Sequence, residues 1–77
     1  MKLSEAVGKR VEVLLAERGM TQYKLYKNGG VPRSTISVTV GGKYKTVKLD
    51  TVYQISATPG ISLKEFFDDP LFDEPED

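Results

Sequence analysis

Residues 31–49 read VPRSTISVTVGGKYKTVKL, and two local structures suit them. Taken alone, the stretch is a β-hairpin. Ile36, Val38 and Val40 alternate with Ser37 and Thr39, Gly41-Gly42 supplies a two-residue turn, and Tyr44, Thr46 and Val47 form the return. Taken with its flanks, the first ten residues form a short helix entered through Pro32 and stopped by the glycines. The two readings lead to different molecules, so the neighbouring segments have to decide between them.

The neighbours are helical. SEAVGKRVEVLLAER, residues 4–18, places Val7, Val11, Leu14, Leu15 and Arg18 at helical spacing, with Ser4 as the expected N-cap, Glu5 in the first turn and Gly19 as the stop. Lys9, Arg10, Glu12 and Glu17 lie off that stripe. TQYKLYKNGG, residues 21–30, opens on Thr21 as N-cap, turns Leu25 inward and closes on Gly29-Gly30; Lys24 stands where a capping box would have its acid. Tyr23 and Tyr26 are expected as partly buried rings with wet hydroxyls. KLDTVYQISATPG, residues 48–60, puts Leu49, Val52, Ile55 and Ser56 on one face before Pro59-Gly60 breaks it. SLKEFF, residues 62–67, begins with a complete Ser62–Glu65 capping box, with Ile61 as staple and Leu63, Phe66 and Phe67 as its apolar side.

Three arguments then favour the helix for the quoted stretch. Pro32 cannot donate to a β-ladder, but its missing N–H suits a first helical turn. A lone hairpin among four helices is marginal. The β-branched residues cost a helix only about a few tenths of a kcal/mol each, which packing overrides. Helix, glycine turn, short helix is the helix-turn-helix layout.

At this point the chain resembles the Cro and phage-repressor type of helix-turn-helix regulators, the xenobiotic-response-element family. The resemblance covers about residues 4–67 and rests on VGKRVEVLLAERGMTQYKL, GGVPRSTIS and LDTVYQISATPGISLKEFF, which match the family's five helices in order and length. It implies an all-α, compact five-helix, repressor-like DNA-binding domain over residues 1–67, followed by an acidic C-terminal tail over 68–77. The chain departs from the family pattern at Tyr26, where a small residue is usual, and at Thr39, where an aliphatic one is. Leu15 and Val40 stand where some relatives pair a base with an acid, an exchange that can be neutral or stabilising.

On a helix of about Pro32–Val40, Ile36 and Val40 point inward, while Arg33, Ser34, Ser37 and Val38 face out. The resemblance implies that these four read base edges in the major groove. Arg33 has the donors to grip guanine O6 and N7, the serines are tolerant hydrogen-bonders, and Val38 suits a thymine methyl. The bland alternatives are a solvated Arg33 and a Val38 at a residual strand position or a dimer contact. Gln22 matches the family's phosphate-binding glutamine. Thr21 is first a cap, and Lys43, Tyr44, Lys45 and Lys48 follow the recognition helix where relatives lay basic residues along the backbone.

Composition narrows the function classes. The chain has 77 residues, no cysteine and no histidine, which removes disulfides, thiolate metal sites, cysteine nucleophiles and the usual general base. No carboxylate sits in an apolar run that would shift its pKa, so no catalytic role and no cofactor is expected. No apolar run reaches membrane-spanning length and no signal-peptide pattern opens the chain, so a cytoplasmic protein is expected. The formal net charge of zero hides an asymmetry: DDPLFDEPED, residues 68–77, holds six acids and no base, while residues 1–67 carry +6. The tail either competes weakly with phosphate for the basic face or serves solubility alone.

The sequence therefore points to a sequence-specific regulator that binds double-stranded DNA. A two-fold homodimer is expected, with Phe66, Phe67, Leu71 and Phe72 as candidate dimer residues, although Phe66 should be core. The competing reading is a protein-interaction domain on the same fold, an antitoxin-like or antirepressor partner.

Overall fold

The computed structural model describes residues 1–43 and 46–76. The disputed stretch is helical: α3 spans Arg33–Gly41 and follows α1, Leu3–Arg18, and α2, Gln22–Gly29. After it come α4, Leu49–Ala57, α5, Leu63–Phe67, and a single 3₁₀ turn at Pro70–Phe72. No strand occurs among the described residues. Pro32 is the N-cap of α3 rather than its first residue, a difference of one position.

Five of the nine residues of α3 are β-branched, and packing holds them helical. The helix lies between α1 and α2, burying Ile36 and Thr39 completely or nearly so, with Val40 half-buried on the same core. Thr39, the polar residue at an aliphatic position, is satisfied within its own helix: its hydroxyl donates to the Thr35 carbonyl at 2.7 Å. Tyr26 causes no crowding because its ring lies outside, 42% exposed. The core joins Val7, Val11, Leu14 and Leu15 of α1 to Leu25, Val31, Ile36, Val52, Ile55, Ile61 and Phe66. A radius of gyration of 11.3 Å is close to the roughly 11 Å expected of a compact chain this long.

Thr21 and the Ser62–Glu65 pair cap their helices as expected. Four expectations need correction. Ser4 is not the N-cap of α1; Lys2 takes that place, and its N–H donates to the Glu5 carboxylate. Ser4 instead sits buried in the first turn and donates to the Gly42 carbonyl at 3.3 Å, tying α1 to the end of α3. Gly42 has φ of 65°, and a Cβ there would stand 2.9 Å from the Glu5 Cα, so the junction requires glycine twice over. Arg18 is exposed, and Leu49 is 65% exposed, because α4 turns Val52, Ile55 and Ser56 inward and leaves its first residue out. Arg10, off the apolar stripe, is a structural residue: Nε donates to the Phe66 carbonyl at 2.7 Å and Nη2 to the Glu65 carbonyl at 3.0 Å. Its charge thereby sits on carbonyls at the C-terminal end of α5, where the helix dipole favours a cation.

Candidate nucleic-acid interface

The Thr21 hydroxyl accepts the Lys24 N–H at 3.1 Å and so fixes where α2 begins. Gln22 follows as its first residue, exposed, beside backbone N–H groups that have no partner within the helix. Gly30, in the left-handed region at φ of 72°, ends α2, and Val31, buried, anchors the turn into α3.

The expected base-reading residues all stand on the outer side of α3. Arg33, Ser34, Ser37 and Val38 are exposed, and Val38 keeps 42% of its surface. Two of the helices bring four side chains together: Gln22 with Arg33, Ser34 and Ser37 lines one concavity. A second depression lies on the other side of α3, bordered by Ser34, Val38, Gly42, Thr46, Lys48 and Thr51. Ser34 borders both, so α3 stands as a ridge between two grooves. Lys43 and Lys48 are exposed. Tyr44 and Lys45 lie outside the described residues.

Residues 18–49 contain seven Lys and Arg and not one Asp or Glu, so the helix-turn-helix and its exit are a basic stretch, bordered by Glu5 near Gly42 and by Asp50 beside Lys48. The six acids stay in the tail. Its 3₁₀ turn packs against α1, with Phe72 on the core, and the Glu76 carboxylate pairs with the Met1 amino group.

Tyr23 is 49% exposed, in keeping with a partly buried ring, but sequence reasoning missed its cation contacts: the Arg33 guanidinium lies 5.6 Å from the ring centroid and the Lys27 ammonium 5.9 Å from it. The Tyr23–Lys27 spacing on α2 signals the second contact; the first depends on the angle between α2 and α3, which spacing does not give. Thr46 and Thr51 were also missed as groove-lining hydroxyls.

A ridge-forming helix held by a capped partner helix, built from a stretch rich in Lys and Arg, defines a helix-turn-helix DNA-binding domain. The family model for the Cro/C1-type HTH DNA-binding domain matches residues 10–70, and the chain belongs to that family. No curated protein and no solved structure matches it at significant similarity. No helix among the described residues is long and apolar enough to cross a membrane.

Proposed function

We propose that this chain is a sequence-specific, cytoplasmic transcriptional regulator that inserts α3 into the major groove of double-stranded DNA. Arg33, Ser34, Ser37 and Val38 face the base edges. Thr21, Gln22, Lys43, Tyr44 and Lys45 meet phosphates on either side and fix the register of the helix. The DNA-binding body is residues 1–67 and the acidic tail residues 68–77. The reading is supported above all by the convergence of Gln22 with Arg33, Ser34 and Ser37 around one concavity whose lining holds no carboxylate. A phosphate-type residue and base-type residues then reach a duplex together.

The regulator acts as a two-fold dimer on half-sites about 34 Å apart, since one small domain reads too few base pairs for strong occupancy. Phe66 is fully buried and cannot serve the dimer, whereas Phe67 remains 36% exposed beside an apolar depression shared with Leu3, Val7, Val47, Leu49 and Val52. The same depression favours a second reading, a protein-interaction domain on the same fold. Salt dependence separates them: binding to a random duplex that falls steeply with salt follows from phosphate contacts and not from an apolar partner surface.

Arg33→Ala tests the base-reading assignment. Affinity for the specific site is expected to fall by about 1–3 kcal/mol, with relaxed preference at one guanine and little change on random duplex. Equal losses on specific and random duplexes would make Arg33 a phosphate contact.

A further inference from the structure

Arg33 is the first residue of α3, at the helix end where the backbone dipole disfavours a cation. Among the described residues it forms no ion pair. The aromatic face of Tyr23 lies under its guanidinium instead, 5.6 Å from ring centroid to Cζ. The ring itself is flanked on α2 by Lys27 at 5.9 Å and by Tyr26, whose centroid is 6.1 Å away at a tilt of 56°. Nearly half of Tyr23 is exposed, so the core does not account for the ring being there.

We propose that Tyr23 is a positioning residue that holds the Arg33 guanidinium ready for a guanine edge, an inference that rests on the base-reading role given to Arg33 above. A free arginine side chain samples many rotamers, and gripping a base demands one of them. A carboxylate would restrict those rotamers too, but it would occupy the N–H fork that guanine O6 and N7 require. An aromatic face attracts the cation through its quadrupole and leaves the in-plane donors free. Tyr23 therefore orients Arg33 without using up its hydrogen bonds, and it sits one residue after Gln22, so phosphate anchoring and base reading are adjusted by the same turn of α2.

The test uses the full chain, a duplex selected from a random library, and the same duplex with the Arg33-dependent guanine replaced. In the free protein the Arg33 side-chain protons are expected to show upfield ring-current shifts that persist in Tyr23→Phe and vanish in Tyr23→Leu. Tyr23→Leu is expected to lower the preference for that guanine by about 2- to 5-fold, the size of an exposed cation–π contact. Tyr23→Phe should leave the preference unchanged, and Tyr23→Leu should cost nothing further in an Arg33→Ala background. Equal losses in both backgrounds would overturn the positioning role by making the effect of Tyr23 independent of Arg33, and a Tyr23→Phe loss as large as that of Tyr23→Leu would overturn it by assigning the effect to the hydroxyl. If Arg33→Ala itself leaves the guanine preference intact, the base-reading assignment fails and takes the positioning role with it. The free-protein shifts would still be seen in that case, which tells the two failures apart.

Discussion

Phe66→Ala is expected to remove about 3–5 kcal/mol of folding stability, the range for truncating a fully buried aromatic ring. A domain of this length holds only about 4–12 kcal/mol in all. Phe66 has no exposed surface, and its ring lies 5.0 Å from that of Phe67 and 6.1 Å from that of Phe72. The Arg10 guanidinium stands 5.7 Å from the ring centroid and bonds the Phe66 carbonyl, so one side chain joins α1, α5 and the 3₁₀ turn. Urea unfolding should show a much lower midpoint with an unchanged slope. A loss below about 1 kcal/mol, the scale of an ordinary surface change, would mean that α5 is not part of the core.

Gly8→Ala should destabilise the protein, against the local rule. In a helix interior alanine is favoured over glycine by about 1 kcal/mol, so the sequence alone predicts a gain. At Gly8 a Cβ would meet the carbonyl oxygens of Thr39 and Val40 at 2.6 Å each. Both are backbone atoms, so relief requires moving α3 away from α1. Overpacking of this kind costs about 1–3 kcal/mol, which outweighs the propensity gain. Because the displaced element is the proposed reading helix, specific DNA affinity should fall further than stability does. The sign is the test: a raised melting temperature would contradict the close approach of α1 and α3.

Gly8 shows where a single sequence stops being legible. Nothing in the run around it distinguishes a tolerated helical glycine from one that lets two backbones meet, because the reason lies some thirty residues away in α3. Ser4 failed for a related cause. A serine ahead of an apolar stripe is the usual N-cap, but here the helix starts one residue before it and its hydroxyl is taken by Gly42. Leu49 satisfied the periodicity of α4 and still faces out, because it precedes the turn that packs.

The order of helices, their caps at Thr21 and Ser62, and the inward Leu25, Ile36, Val52 and Ile55 were legible, since each follows from local chemistry repeated at helical spacing. The quoted stretch was legible only in context. Alternation favoured a strand, and what overrode it was Pro32 together with the layout of the neighbouring helices. For the candidate site, the outward positions on α3 could be read from periodicity, whereas the approach of Tyr23 to Arg33 needed the geometry between helices. So did the grouping of Gln22 with Ser34 and Ser37.

The central claim is that α3 and the start of α2 face the duplex. An amide-resolved NMR titration of the full chain with its selected duplex tests this most directly, with a random duplex at raised salt as the reference. The largest specific shifts are expected on Gln22, Tyr23 and residues 33–38, with little change around Leu49 and Phe67 once the dimer has formed. Shifts centred on Leu49 and Phe67, with residues 33–38 unmoved, would contradict the claim.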